Sequence, residues 1–135
     1  MPVVHAVLVV DVANVMGSRP DGWWRDRAGA ASRLLAELAP LAGQVVAGPA
    51  GDEVTLSRLV AVVEGRARDV PAPDGVGVVR APRDGDSTIA EVAAEVAAAG
   101  ETPLVVTADR GLRARLPAAA LVSGPGWLLG LTRPA

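Results

Sequence analysis

Three apolar runs in this chain end on carboxylates. "VVHAVLVV" (3–10) leads into Asp11, with Asn14 three residues on. "VGVVRA" (76–81) leads into Arg83, Asp84 and Asp86, and "TPLVVTA" (102–108) carries Thr107 and leads into Asp109 and Arg110. A further run, "LSRLVAVVEG" (56–65), reaches Glu64, followed by Arg66 and Arg68. Carboxylates brought to one place repel one another, and one stays protonated unless something neutralises them. A divalent cation is the usual solution. Mg²⁺ takes oxygen ligands, often one or two carboxylates plus waters and substrate phosphates, and Mn²⁺ suits the same donors. Such an ion lowers the pKa of a water and polarises a phosphoryl oxygen, so the chemistry suggested is phosphodiester hydrolysis.

Each Asp also has a purely structural reading. An Asp after a strand is often a helix N-cap. That reading is strong for Asp109, because "DRGLRARL" (109–116) reads as a short helix starting there. It is weaker for Asp11, since no helical pattern begins until after the Trp pair. Asp86 is not needed as a cap, because Thr88 and Glu91 already form a Thr-x-x-Glu capping box. Asp84 reads equally as a solvated turn residue, and spacing alone does not choose between Asp84 and Asp86.

A second cluster lies just downstream of Asp11. The chain has three Trp and neither Phe nor Tyr, yet Trp23 and Trp24 are adjacent, with Arg19, Arg25 and Arg27 around them. Guanidiniums bind phosphates bidentately. An indole offers a face on which any base stacks, worth about 1–3 kcal/mol per base. Beside a metal site, the cluster suits a track for single-stranded RNA leading to Asp11, since RNA recognition favours unstacked regions. Against this, at least one indole is expected to pack on the first helix. Arg25 and Arg27 could equally pair with Asp21 and Asp26. His5 sits mid-run and reads as a core or edge residue, and no Gly-x-Ser-x-Gly is present to support Ser-His-Asp chemistry.

The elements that must position these groups alternate. The β-branched run 3–10 fits a strand buried on both faces. Ala31, Leu34, Leu35 and Leu38 recur at helical spacing, and Pro40 closes that helix. "GQVVAGPAGDEVT" (43–55) is rich in turn residues and predicts an excursion or hairpin. Strands follow at 56–65 and 76–81. A helix spans 88–100, then a strand 102–108, the short helix at 109, a strand 118–124 and a terminal turn, "WLLGL". Strand–helix alternation predicts an α/β fold, a parallel sheet of about five strands covered on both faces. Ligands in such sheets bind at the carboxyl ends of the strands, where the acids lie.

Composition narrows the alternatives. At 135 residues, one domain (1–135) is expected. Half the residues are apolar and the net charge is −2, so nothing argues for a protein that coats duplex DNA. All thirteen basic residues are Arg. Without Lys, a phosphate loop ending in Lys-Ser/Thr and any Schiff-base mechanism are excluded. Without Cys, thiol nucleophiles, thiolate zinc sites and disulfides are excluded too. The first apolar run lacks a basic leader and is too short for a membrane span. The expectation is a soluble cytoplasmic protein with no membrane partner.

With these residues in view, "LVVDVANVMGS", "RDGDSTIAEVA" and "LVVTADRGLRARL" resemble the three acidic motifs of PIN-like nucleases, with the bacterial NYN-domain branch the closest fit. The resemblance keeps the motif order over nearly the whole chain. It implies a Rossmann-like, three-layer sandwich and Mg²⁺- or Mn²⁺-dependent cleavage of RNA. Asp11, Asp86 and Asp109 are the implied metal ligands, with Asp84 as a further candidate. Asn14 would orient Asp11 or a metal-bound water, and Thr107 would support the site from behind. Val12 and Gly111 depart from the pattern: relatives more often have a small residue at the first position and an extra acid at the second.

The leading expectation is therefore a metal-dependent endoribonuclease acting on single-stranded RNA. A catalytically silent module that binds RNA or protein competes with it, as does a metal-dependent hydrolase of small nucleotides. A role as a toxin held by a protein regulator is compatible with the family. An apolar patch from 43–55 or "WLLGL" is a candidate homodimer interface.

Overall fold

The computed structural model describes residues 4–132. Val3, included in the first predicted strand, lies outside them. The central strand β1 (Val4–Asp11) pairs in parallel with β3 (Glu53–Val63) on one side and β5 (Thr102–Val106) on the other. β4 (Val76–Arg80) extends the sheet beyond β3, and β6 (Leu121–Ser123) extends it beyond β5, both in parallel. The five parallel strands therefore run in the order β4-β3-β1-β5-β6. The strand β2 (Val45–Ala47) is antiparallel to the start of β3, which makes the 43–55 segment the expected hairpin.

Helices cover both faces. On one side α1 (Val12–Gly17), α2 (Arg27–Leu38) and α5 (Pro125–Leu131) pack on Ala6, Leu8 and Val10 of β1. On the other, α3 (Gly85–Ala98) and α4 (Arg110–Arg113) pack on Val7 and Val9. Alternate residues of one strand thus feed two cores, which is why β1 reads as an unbroken apolar run. The molecule is an α/β/α sandwich, as expected.

β3 contains a correction to its own alternation. Its register against β1 shifts between Ala6 and Val7, leaving Ser57 as an extra residue. The Ser57 hydroxyl donates to the Ala6 carbonyl at 3.1 Å across this bulge. Val54 and Leu56 face the first core before it, and Leu59, Ala61 and Val63 face the same core after it. Without the extra residue, one half of the strand would turn its apolar side chains the wrong way.

Two sequence expectations about helix starts are corrected. A helix does begin directly after Asp11, because Val12, Val15 and Met16 are buried against the sheet although the helix is too short to show a period. And α3 starts at Gly85, capped by Asp84, not by Thr88; the Thr88–Glu91 pair is no capping box because Thr88 lies inside the helix with 8% of its surface exposed.

Candidate functional site

The order of the parallel strands reverses at β1, whose neighbours β3 and β5 are continued in opposite directions. In open α/β sheets a crevice forms at the strand C-termini beside such a reversal. Here a cavity of about 260 Å³ opens at that place, lined by Asp11, Ala13, Asn14, Glu64, Asp86 and Asp109. Four carboxylates from four separated segments meet at it, and no basic residue lines it.

Asp11 is the most constrained. Only 5% of its surface is exposed. Its Oδ2 accepts from the Thr107 hydroxyl at 2.8 Å, and its Oδ1 accepts from the Asn14 N–H at 3.3 Å as the N-cap of α1. Burial pushes its carboxyl above the usual range. Those two hydrogen bonds pull it partly back, and Asp86 and Glu64 push it up further. Asp86, in the first turn of α3, is also raised, by its own burial and then by Asp109, Glu64 and Asp84. The carboxylates therefore feel one another, and Arg115 offsets only part of this at Asp86.

Thr107 and Asn14 lock β1 to β5. Fully buried Thr107 donates to Asp11 and accepts from the Asp109 N–H at 3.1 Å. The Asn14 side-chain oxygen accepts from the Ala108 N–H at 2.8 Å. Arg113 donates to the Thr107 carbonyl through Nε at 3.1 Å and a terminal nitrogen at 2.6 Å. Asp109 caps α4, accepting from the Leu112 N–H at 2.9 Å, so its structural and site readings hold together: one oxygen caps while the residue lines the cavity. Replacing Thr107 with Val should strand Asp11 Oδ2 without its donor and the Asp109 N–H without its acceptor. The expected cost is about 1–3 kcal/mol, checked by urea unfolding; a cost near zero would show that the latch is not structural.

The pair left open by spacing is separated. Asp86 reaches the cavity. Asp84 is the cap of α3, accepting from the Ser87 N–H at 2.8 Å and its hydroxyl at 3.3 Å, bonds that hold its carboxyl below the usual range. It does not line the acidic cavity.

Glu64 is the residue that sequence reasoning left out of the site. It follows β3, accepts from the Gly85 N–H through Oε2, and lines the cavity with the three Asp. Its signal was present as a carboxylate at a strand end, but only the adjacency of β3 to β1 gives that signal meaning.

The Trp-Arg segment divides in the same way. Gly22 adopts a left-handed φ of 74° that starts the 3₁₀ turn Trp23–Arg25. Trp23 is half-buried and packs on the core, as the structural reading expected, while Trp24 is 55% exposed. Their rings meet edge to face, 5.9 Å between centroids. The Arg27 guanidinium lies over Trp23 at 5.4 Å, and that of Arg25 over Trp24 at 5.8 Å. Arg25 and Arg27 form no ion pair with Asp21 or Asp26 among the described residues. Asp26 instead caps α2 through the Gly29 N–H. Arg19 is not brought to the track: it makes a two-pronged bond to Glu37, at 3.0 and 2.5 Å. Arg110 is exposed at the start of α4 and does not line the acidic cavity.

Val12 does not crowd the acidic cavity, because its side chain is buried in the core. At Gly111 an added Cβ would come within 3.3 Å of Asp109 Oδ1, so a larger residue there would press on the Asp109 carboxylate.

The donors fit a hard cation in kind: carboxylates and an amide oxygen, without sulfur or imidazole. Among the described residues, however, no group of three or more acidic or imidazole side chains is already arranged to hold an ion. The fit is to an ion held by one or two carboxylates with its own waters, as Mg²⁺ commonly is.

The segments named as a candidate dimer patch meet at one hydrogen bond. Leu128 of α5 is fully buried in the core, and the Trp127 indole donates to the Ala47 carbonyl of β2 at 3.0 Å. Val45 remains exposed on the edge strand. No helix among the described residues is long and apolar enough to cross a membrane.

No protein-family model matches the chain, and no curated protein matches it in sequence. Among solved structures it is similar to Rae1 (YacP) from Bacillus subtilis. One crystal structure, of a mutant form, superposes with a TM-score of 0.67 at 18% identity over 94% of this chain and 74% of that one. Another superposes with a TM-score of 0.67 at 17% identity, over 93% and 72%. At this identity the likeness establishes the shared fold.

Proposed function

We propose that this protein is a metal-dependent endoribonuclease that hydrolyses phosphodiester bonds of single-stranded RNA. The observation that carries the reading is the meeting of Asp11, Glu64, Asp86 and Asp109 in one cavity at the reversal of strand order, with no basic residue in its lining. The motif resemblance to PIN-like nucleases supports the same reading and supplies the choice of RNA.

One or two of Asp11, Asp86 and Asp109 would hold Mg²⁺ or Mn²⁺ together with its own waters, with the remaining carboxylate and Glu64 beside them. A bound ion supplies the positive charge that neutralises these carboxylates and polarises a phosphoryl oxygen. The chain's own residues do the positioning. Thr107 and the Asn14 N–H hold the Asp11 carboxylate in one orientation. The Asn14 side chain ties α1 to the Ala108 backbone, next to Asp109. Asp86 has no hydrogen-bond partner within the chain among those described, which leaves both its oxygens available. The Trp-Arg segment borders this region and would lead the RNA strand in.

The test is cleavage of end-labelled single-stranded RNA with Mn²⁺ or Mg²⁺, with an EDTA control. Cleavage that needs the metal supports the reading; RNA retained but uncut in either metal would replace it with the silent binding module. That alternative draws on one observation, the absence of a preassembled three-ligand group. A measurement independent of turnover accompanies it. Mn²⁺ at 100 times its Kd should stabilise the fold by about 2.7 kcal/mol. In a thermal melt the gain should shrink sharply in Asp86→Asn. An equal gain in both proteins would place the metal elsewhere.

A further inference from the structure

Next to the acidic cavity lies a second one of about 310 Å³, which shares Ala13 and Glu64 with it. Its floor includes Met16 and Ala67, which are apolar and buried. Its walls include Trp23 with Arg27 over the ring at 5.4 Å, and Arg83. Arg27 and Arg83 form no ion pair among the described residues, unlike Arg19 and Arg58, whose partners are Glu37 and Glu101. An apolar floor, an indole wall and two unneutralised guanidiniums are an unusual combination in a chain of net charge −2.

Each part excludes some occupants. The volume is at the small end of ligand pockets, which run from about 300 to 1,000 Å³, so a group the size of one base fits better than a dinucleotide. The floor favours a flat, largely apolar group. The guanidiniums favour an anion attached to it. Glu64 on the shared wall disfavours a free carboxylate or phosphate sitting deep inside, so the anion belongs at the rim near Arg27 and Arg83. A base bearing backbone phosphates meets all of these demands, and it need only be unstacked from its neighbours.

We infer that this cavity seats one unstacked nucleobase of the bound strand, stacked on Trp23 with its flanking phosphates on Arg27 and Arg83, and so sets which phosphodiester reaches Asp11. The inference deepens the ribonuclease reading, on which it rests for the identity of the strand. It also changes the role of the two indoles. Trp23 is the base platform and is held rigid by the core behind it. Trp24, more exposed, is left to contact the strand outside.

The test is equilibrium binding in EDTA, where metal-dependent cleavage is suppressed, read by anisotropy of a fluorescein-labelled single-stranded RNA. A chain of abasic ribose-phosphate units of the same length and charge runs in parallel. Wild type should prefer RNA over the abasic chain. Trp23→Leu, which keeps an apolar side chain against the core, should weaken RNA binding by about 5- to 150-fold and leave abasic binding unchanged. Arg27→Gln and Arg83→Gln, at exposed positions that do not threaten the fold, should weaken both chains. Each should also reduce the slope of log K against log salt by about 0.7. Arg58→Gln, far from the cavity, should match wild type.

Trp23→Leu binding RNA as wild type does, or losing RNA and abasic chain equally, would overturn the inference. So would a wild-type protein that binds neither chain. Failure here leaves the nuclease reading standing if metal-dependent cleavage persists. Conversely, a protein that never cleaves but shows the expected preference keeps the base cavity and loses the nuclease.

Discussion

Asp11→Asn combined with Asp109→Asn should lower metal-dependent RNA cleavage by about 10³-fold or more, the scale seen when a charge-stabilising group is removed from an active site. Asn is nearly isosteric with Asp and is an equally good N-cap. The bonds from Thr107 to Asp11, and from the Leu112 N–H to Asp109, therefore have acceptors in the variants. What is removed is charge. Single-turnover rates with Mn²⁺ would check this, and cleavage at the wild-type rate would move the chemistry away from these strand ends.

The same substitution at Asp11 should make the protein more stable. The folded-state pKa of Asp11 is raised, chiefly by burial. A raised carboxyl binds its proton more tightly folded than unfolded, so its favourable contribution is full below the unfolded value near 3.9. That contribution is lost as pH rises through the folded value, leaving a deficit at pH 7. Asp11→Asn removes the deficit. The expected gain at pH 7 in EDTA is about 0.5–2 kcal/mol, the usual size for relief at a functional site. It should fade as the pH falls toward 4. A melt at pH 7 in which Asp11→Asn unfolds below wild type would contradict this account of the site.

Leu8→Ala should cost about 2–5 kcal/mol and lower Tm by roughly 10 °C or more. Leu8 is fully buried in the central strand, opposite Leu59 on one side and Leu104 on the other. Its side chain lies in the core that also takes Leu34, Leu35 and Leu38 from α2. Truncation there leaves a cavity between a sheet hydrogen-bonded on both sides and a helix fixed by its own buried face, so little can collapse to fill it. Calorimetry would check the loss, and a loss below about 1 kcal/mol would mean that α2 shifts to fill the space. Cleavage below the new Tm should change little, because Leu8 lies away from the cavity mouth.

Much of this was legible in the chain itself. β1 could be read from 4–10 because a strand covered on both faces needs no polar alternation. The body of α3 could be read from Ile89, Ala93 and Val96, all buried on one side. Asp11 and Asp109 could be placed just at or after strand ends because apolar runs stop there, and Asp86 in the segment that follows the third such run.

Other features were decided only by tertiary contacts. Helix α1 has six residues and too few turns for a period; burial of Val12, Val15 and Met16 holds it. The start of α3 was misplaced because Thr88-x-x-Glu91 is a good local cap while Asp84 read as a turn residue. Packing Thr88 inward left the cap to Asp84, which accepts from the Ser87 N–H. Arg19 and Arg27 look alike in sequence, and the position of Glu37 on α2 withdrew one of them from the track. Glu64 joined the site because β3 pairs beside β1, with Asp11 opposite Val62. Local sequence determined where carboxylates and the longer helices occur, since those depend on spacing along one segment. Strand order determined which of them meet, since repulsion, pairing and pKa depend on distance in space.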